Sequence, residues 1–152
     1  SLRQIMMMII ANYVSHHVAQ QPKKRILVID EAWLLLEHEQ SARFISGLVR
    51  RARKQYLGVA LISQQATDFL RSDHGRAIAS QSSLRILMRQ DTTSITKVRA
   101  EFHLSEYEST FLLTCGKGEA LLIADQHHVA VRIIASDNEH PLITTHPAEL
   151  YG

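Results

Sequence analysis

The 152-residue sequence predicts an α/β fold: a mostly parallel sheet flanked by helices, with an antiparallel hairpin near the C-terminus. Three observations carry this prediction. The aliphatic run at residues 26–29 is too short for a helix and rich in β-branched side chains, as a strand buried on both faces of a parallel sheet is, and residues 59–62 and 84–88 read as a second and a third short strand. Between them lie stretches with apolar residues at helical spacing, so strands and helices alternate. Residues 119–124 and 128–135 form two further strands joined only by Asp125-Gln126-His127, a link short enough to make an antiparallel pair.

In chain order, apolar residues at Leu2, Ile5, Met6, Ile9, Ile10, Tyr13, Val14 and Val18 describe a helix over residues 2–20 with a wide buried stripe, and Met6 to Met8 read as core filler. Gln20-Gln21-Pro22-Lys23 breaks it and leads into the first strand. A short helical stretch at 32–36 precedes a helix over 39–55, apolar at Phe44, Ile45, Leu48, Val49 and Ala52 and stopped by Gly58. After the second strand, 66–70 and 75–82 read as helical with a break around Ser72-Asp73-His74-Gly75. Helices are expected at 92–102 and 105–114, the latter opened by a capping box of Ser105 and Glu108. Gly116-Lys117-Gly118 precedes a strand and not a helix, so it reads as a turn and not as a phosphate loop. The tail from Ser136, with Pro141 and Pro147, is expected to be irregular.

Composition limits the alternatives. At 45% apolar residues the chain can bury one ordinary core, and no second one is implied. A net charge of +2 is too small to argue by itself for a nucleic-acid or membrane surface. Cys115 is the single cysteine, which excludes an internal disulfide and a thiolate zinc site and suits a cytoplasmic location. The apolar run at 5–11 is far short of a membrane span. None of the nine histidines falls in a metal-binding pattern: His16-His17 point about 100° apart on a helix, and His127-His128 face opposite sides of a strand. No Gly-x-Ser-x-Gly elbow is present.

The chemistry is expected where the first strand ends. Asp30 and Glu31 are adjacent carboxylates at the carboxyl end of an aliphatic strand, the edge at which open α/β sheets bind ligands, and together they have the pattern of a Walker B strand. In that reading Asp30 holds the shell of a magnesium ion through water, and Glu31 orients and deprotonates a water that attacks a terminal phosphate. The plainer reading is that Asp30 only caps the helix opening at Ala32. Ser63-Gln64-Gln65 follows the second strand in the same way. Gln64 is the candidate sensor of the terminal phosphate and Gln65 the lesser one, against the alternative that both satisfy loop backbone groups. Arg50, Arg51, Arg53 and Lys54 crowd the end of the helix between these strands, where cations also complement the helix dipole.

Residues 26–33 (Ile-Leu-Val-Ile-Asp-Glu-Ala-Trp), the basic helix end at 50–54 and Leu61-Ile62-Ser63-Gln64-Gln65 stand in an order that resembles the conjugative-transfer and type IV secretion ATPases of the TraC (VirB) kind. The resemblance continues through Arg89-Gln90-Asp91, Leu104-Ser105-Glu106, Gly116-Lys117-Gly118 and the ending from Pro141 to Leu150. It implies a RecA-like P-loop NTPase that binds ATP and Mg2+, assembles as a ring, expected to be a hexamer, and works on the cytoplasmic side of the inner membrane with the components of a secretion channel. It also implies that Arg53 is an arginine finger reaching a neighbouring subunit's site, with Arg50 as its helper. No Gly-x-x-x-x-Gly-Lys-Ser/Thr occurs in the sequence, so residues 1–152 are expected to be the C-terminal part of one motor domain, from Walker B onward, with weak nucleotide binding at most on their own. The opening at Ser1, directly into an apolar helix, agrees with that expectation.

The alternatives are a DNA translocase or helicase-like ATPase of the same superfamily, a nucleic-acid-binding module using residues 50–54 on phosphates, and a non-catalytic interaction module with relic carboxylates. Aromatic residues at 6% and a narrow basic cluster weigh against the nucleic-acid module.

Overall fold

A computed structural model describes residues 2–20 and 23–144. Its elements, in order, are helix α1 (Leu2–Gln20), strand β1 (Arg25–Ile29), helices α2 (Trp33–Leu36) and α3 (Glu39–Ala52), strand β2 (Leu57–Leu61), helix α4 (Asp73–Gln81), strand β3 (Leu84–Leu87), helices α5 (Ile95–Phe102) and α6 (Glu106–Thr114), strands β4 (Glu119–Ala124) and β5 (His127–Arg132), and the short helix α7 (His140–Ile143). Single turns of 3-10 helix cover Arg53–Gln55 and Ala66–Asp68. The α/β class and the hairpin are as the sequence predicts. Gln21, Pro22 and residues 145–152, including Pro147, lie outside the described residues.

The sheet differs from expectation in its pairing. β1 and β2 form a parallel pair, but β3 pairs antiparallel with β4, and β4 antiparallel with β5, in a separate three-stranded sheet. An apolar run reports that a segment is a strand, not which neighbour it chooses. β4 buries Ala120, Leu121 and Ile123, so it is the central strand that can take a neighbour on each edge.

Each sheet covers its own apolar cluster, where composition implied one core. Beneath β1 and β2 lie Ile29, Leu35, Ile45, Leu48, Leu57 and Ile78, supplied by the strands, α2, α3 and α4. Beneath the antiparallel sheet lie Leu87, Val98, Leu104, Leu112, Leu121 and Ile123, supplied by its strands, the α5–α6 pair and the link between them. The segment after β2 joins the two, because Ala66 packs against the second cluster and Phe69 against the first. Gly75, in the first turn of α4, fits tightly here: a Cβ at this position would lie 2.3 Å from the Phe69 carbonyl oxygen.

Two burial expectations fail for one reason. Ile26 and Val28 of β1 are 77% and 57% exposed, so this strand is buried on one face only. The α1 stripe is likewise open at Ile5, Met6, Ile9, Ile10 and Tyr13, while Val14 reaches the first cluster. Apolar residues on the second face of each sheet, Leu84, Ile86 and Val129 among them, are exposed as well. The sequence pattern is that of elements covered on both sides, and the described residues cover one.

Smaller corrections follow from backbone geometry. α3 ends at Ala52 and passes through the 3-10 turn to Tyr56, whose left-handed φ of 54° terminates it; Gly58 lies inside β2. α4 begins at Asp73, with the Ser72 hydroxyl accepting the Gly75 N–H, so residues 72–75 start the helix and do not break it. The capping box of Ser105 and Glu108 forms as predicted. Gly118, at φ 81°, makes the turn before β4.

Candidate functional site

Parallel pairing of β1 and β2 brings two strand ends together. The register runs from Arg25 opposite Leu57 to Ile29 opposite Leu61, and the ladder continues past both strands: the Ile62 N–H donates to the Ile29 carbonyl at 2.9 Å and the Ala32 N–H to the Ile62 carbonyl at 2.8 Å. The Asp30-Glu31 turn is thereby held beside Ser63 and Gln64. Glu31 itself has φ of 52°, a left-handed conformation uncommon outside glycine, asparagine and aspartate. Such conformations persist where surrounding bonds over-determine them, and functional sites are where they cluster. Here the bonds are the two ladder contacts that flank the turn and the Glu31 N–H to Asp30 Oδ1 at 2.9 Å. Asp30 is exposed and accepts from its neighbour, not from an N–H of α2, so the capping reading does not describe its contact.

Glu31 is the centre of the arrangement. Gln64 Nε2 donates to its Oε1 at 2.6 Å and the Trp33 indole Nε1 donates to its Oε2 at 2.6 Å, so each carboxylate oxygen has one donor. A cavity of about 310 Å³ opens here, lined by Glu31, Trp33, Leu34, Gln64, Gln65, Asp68 and Arg71. The carboxylate can accept a proton, and the amides and guanidinium can donate to an anion. The loop reading of Gln64 does not match its side chain, which goes to Glu31, 33 residues earlier in the chain, and not to backbone. Gln65 lines the cavity and accepts a long contact of 3.5 Å from the Thr67 hydroxyl.

Sequence reasoning missed Asp68 and Arg71. Asp68 is 8% exposed; its Oδ2 accepts from the Ser63 hydroxyl and its Oδ1 pairs with Arg71 at 3.2 Å. A buried carboxylate needs such partners to remain charged at low cost. The result is a connection from the end of β2 to Arg71, the one basic side chain lining the cavity among the described residues. The signal available in the sequence was the Asp68-x-x-Arg71 spacing next to Ser63-Gln64-Gln65, which is weak without a fold.

The remaining predicted residues lie elsewhere. Asp30 stands next to Glu31 but does not line the cavity. Arg50, in the last turn of α3, and Arg53, in the 3-10 turn that follows, are exposed and do not line it either. A further contact ties β5 to α6: His128 Nδ1 lies 2.7 Å from Glu108 Oε1. Burial alone would raise the Glu108 pKa, but the Ser105 backbone and side-chain hydrogen bonds and the His128 ring outweigh it, and the carboxyl is held below the usual range. Cys115 is buried, and that burial pushes its thiol pKa up.

With this geometry in place, comparison with known proteins is informative. The TraG P-loop domain family model matches residues 2–138. The type IV secretion system protein CagE of Helicobacter pylori is 29% identical over 90 residues, which is 59% of this chain and 9% of CagE. VirB4 of Thermoanaerobacter pseudethanolicus superposes with a TM-score of 0.83 at 24% identity, over 90% of this chain and 38% of that one. B204, the DNA-packaging ATPase of Sulfolobus turreted icosahedral virus, gives 0.68 at 17% identity over 86% of this chain and 62% of its own. The B204 NTPase of Sulfolobus turreted icosahedral virus 2, solved with ATP-gammaS, gives 0.57 at 18% identity over 74% and 53%. The structural likenesses establish the fold. The chain spans only a minor part of CagE and of VirB4.

Proposed function

Since the chain belongs to the TraG P-loop domain family, we propose that it is part of an ATP-hydrolysing motor of a bacterial conjugation or type IV secretion system, energising assembly or substrate transfer. The observation that carries this reading is the Glu31 carboxylate, set at the end of β1 in a left-handed turn and hydrogen-bonded by Gln64 from the neighbouring strand end, beside an open cavity. The polar lining can serve the phosphate end of a nucleotide: the Glu31 carboxylate to take a proton, two amides and one guanidinium to donate, and a second carboxylate, Asp68, that is paired with Arg71 and the Ser63 hydroxyl. ATP, when bound, supplies the phosphoanhydride to be cleaved, and Mg2+ neutralises its oxygens.

The residues of this chain would then divide the work. Glu31 orients a water and accepts its proton as the water oxygen bonds to the terminal phosphorus and the bond to ADP breaks. Asp30, exposed beside it, belongs in the magnesium shell through water. Gln64 senses the terminal phosphate, with Gln65 next to it, and its bond to Glu31 couples sensor and base directly. Arg53, assisted by Arg50, acts in the site of a neighbouring subunit, which agrees with their absence from this chain's own cavity. The phosphate-gripping loop comes from residues outside this chain, which would form the C-terminal part of the motor domain. The assembly is a ring, a hexamer by our reading, at the cytoplasmic face of the inner membrane with secretion-channel components. No helix among the described residues is long and apolar enough to cross a membrane.

The test is Glu31→Gln in the full-length protein. The amide keeps the size of the side chain and cannot take the proton, so ATP binding should persist while hydrolysis falls by on the order of a hundredfold or more. Turnover at the parent rate would overturn the assignment.

A further inference from the structure

We propose that Trp33 is a positioning residue for hydrolysis, its indole N–H fixing the direction of the Glu31 carboxylate; the inference rests on the reading of Glu31 as the base. The geometry is specific. Trp33 Nε1 lies 2.6 Å from Glu31 Oε2, and an indole can only donate, so in this contact Glu31 Oε2 is the acceptor. The backbone beneath it is anchored: the Ala32 N–H is bonded to the Ile62 carbonyl, Ala32 is 1% exposed, and Leu34, Leu35 and Leu36 are buried. The two donors to Glu31 differ in kind. Gln64 is exposed and stands on the second strand end, where its amide is also the group expected to meet phosphate. While Gln64 is engaged with phosphate, Trp33 remains as the holder of Glu31, from within the same turn. One lone pair of Oε2 and both of Oε1 then stay open to take a proton from water. Without that holder, a glutamate side chain samples several rotamers, and misplacement of a base by an ångström is costly to rate.

The experiment removes one N–H and little else. In the full-length protein, Trp33 is replaced by β-(3-benzothienyl)alanine, which keeps the bicyclic shape and carries sulfur in place of the N–H, with Trp33→Phe and Glu31→Gln in parallel. Assembly is followed by size-exclusion chromatography, and ATP turnover gives kcat and KM separately. Loss of a hydrogen bond to a charged group predicts a kcat lower by roughly tenfold to a hundredfold for both Trp33 variants, with KM and assembly at parent values. An isostere that keeps the parent kcat while Glu31→Gln is inactive would overturn the role of Trp33 and leave Glu31 as the base. Loss of activity that tracks lost assembly or a raised KM, with kcat per assembled subunit unchanged, would assign Trp33 to packing and overturn the proposal equally. If Glu31→Gln turns over normally, the base reading fails and this inference fails with it.

Discussion

At the scale of single residues, two side-chain donors distinguish Glu31 from Asp30 at the strand end. Glu31 receives donors from Trp33 and Gln64, whereas Asp30 is exposed and, among the described residues, accepts the N–H of its neighbour. Asp30→Asn should therefore weaken magnesium-dependent nucleotide binding and leave folding intact, measured by ATP affinity with and without the metal. Gln64→Ala removes the amide proposed as the sensor together with one of the two donors to Glu31. It should lower kcat more than it raises KM, and an unchanged turnover number would return Gln64 to the status of a loop residue. Away from the site, Asp91 makes a pH prediction. Hydrogen bonds from the Thr93 side chain, then from the Ser94 side chain and N–H, hold its carboxyl far below the usual carboxylate range. A folded pKa lowered in this way adds stability that is present above the unfolded value, about 4, and is lost as pH falls below it. Asp91→Asn should lower stability at neutral pH, where the charged carboxylate contributes, and make progressively less difference as the pH falls below about 4, which flattens the acid side of the profile as read from denaturation midpoints between pH 7 and 3.

At the scale of elements, the strand ends are placed by pairing and the helices by their first turns. Gly75 is the tightest of these fits, and Gly75→Ala must push α4 away from the Phe69 carbonyl. Overpacking of this kind costs about 1–3 kcal/mol, visible as a lowered unfolding midpoint. Because residues 66–70 connect the cavity to both apolar clusters, the same change should also disturb Asp68 and Arg71. Ser105→Ala removes a formed capping box and should cost about 1 kcal/mol. What could be read from the sequence follows the same division. Aliphatic runs ending in Asp30-Glu31 and Ser63-Gln64 pointed to the two strand ends that meet at the candidate site, and Ser105 with Glu108 located a helix start, because these signals are local. The partner of β3, the left-handed stop at Tyr56 and the burial of Asp68 depend on distant residues, and no local pattern encodes them. The open faces at Ile26, Val28 and along α1 were misjudged because a sequence pattern reports what an element is built to pack against, whether or not the described residues supply it.

At the scale of the whole molecule, the cavity draws on one sheet, and the basic end of α3 lies exposed outside it. Arg53 is exposed, lies outside its own chain's cavity, and follows a helix whose last turn also carries Arg50 and Arg51. Two accounts of these cations differ greatly in magnitude. Complementing the helix dipole contributes on the order of half a kcal/mol to stability, whereas a guanidinium supplied to a neighbour's transferred phosphate is worth roughly a thousandfold or more in turnover. Arg53→Ala in the full-length protein should therefore fold, assemble and bind ATP almost as the parent does, yet hydrolyse it at least a hundredfold more slowly. The decisive measurement mixes this variant with Glu31→Gln. Each homogeneous ring lacks one half of every site, but a mixed ring contains interfaces that join an intact Glu31 on one subunit to an intact Arg53 on the next. Activity should reappear on mixing, rise to a maximum at intermediate ratios and vanish at both ends. Rings that mix, as shown by co-purification of differently tagged subunits, and remain inactive at every ratio would exclude a role in trans and leave Arg53 as the solvated end of α3.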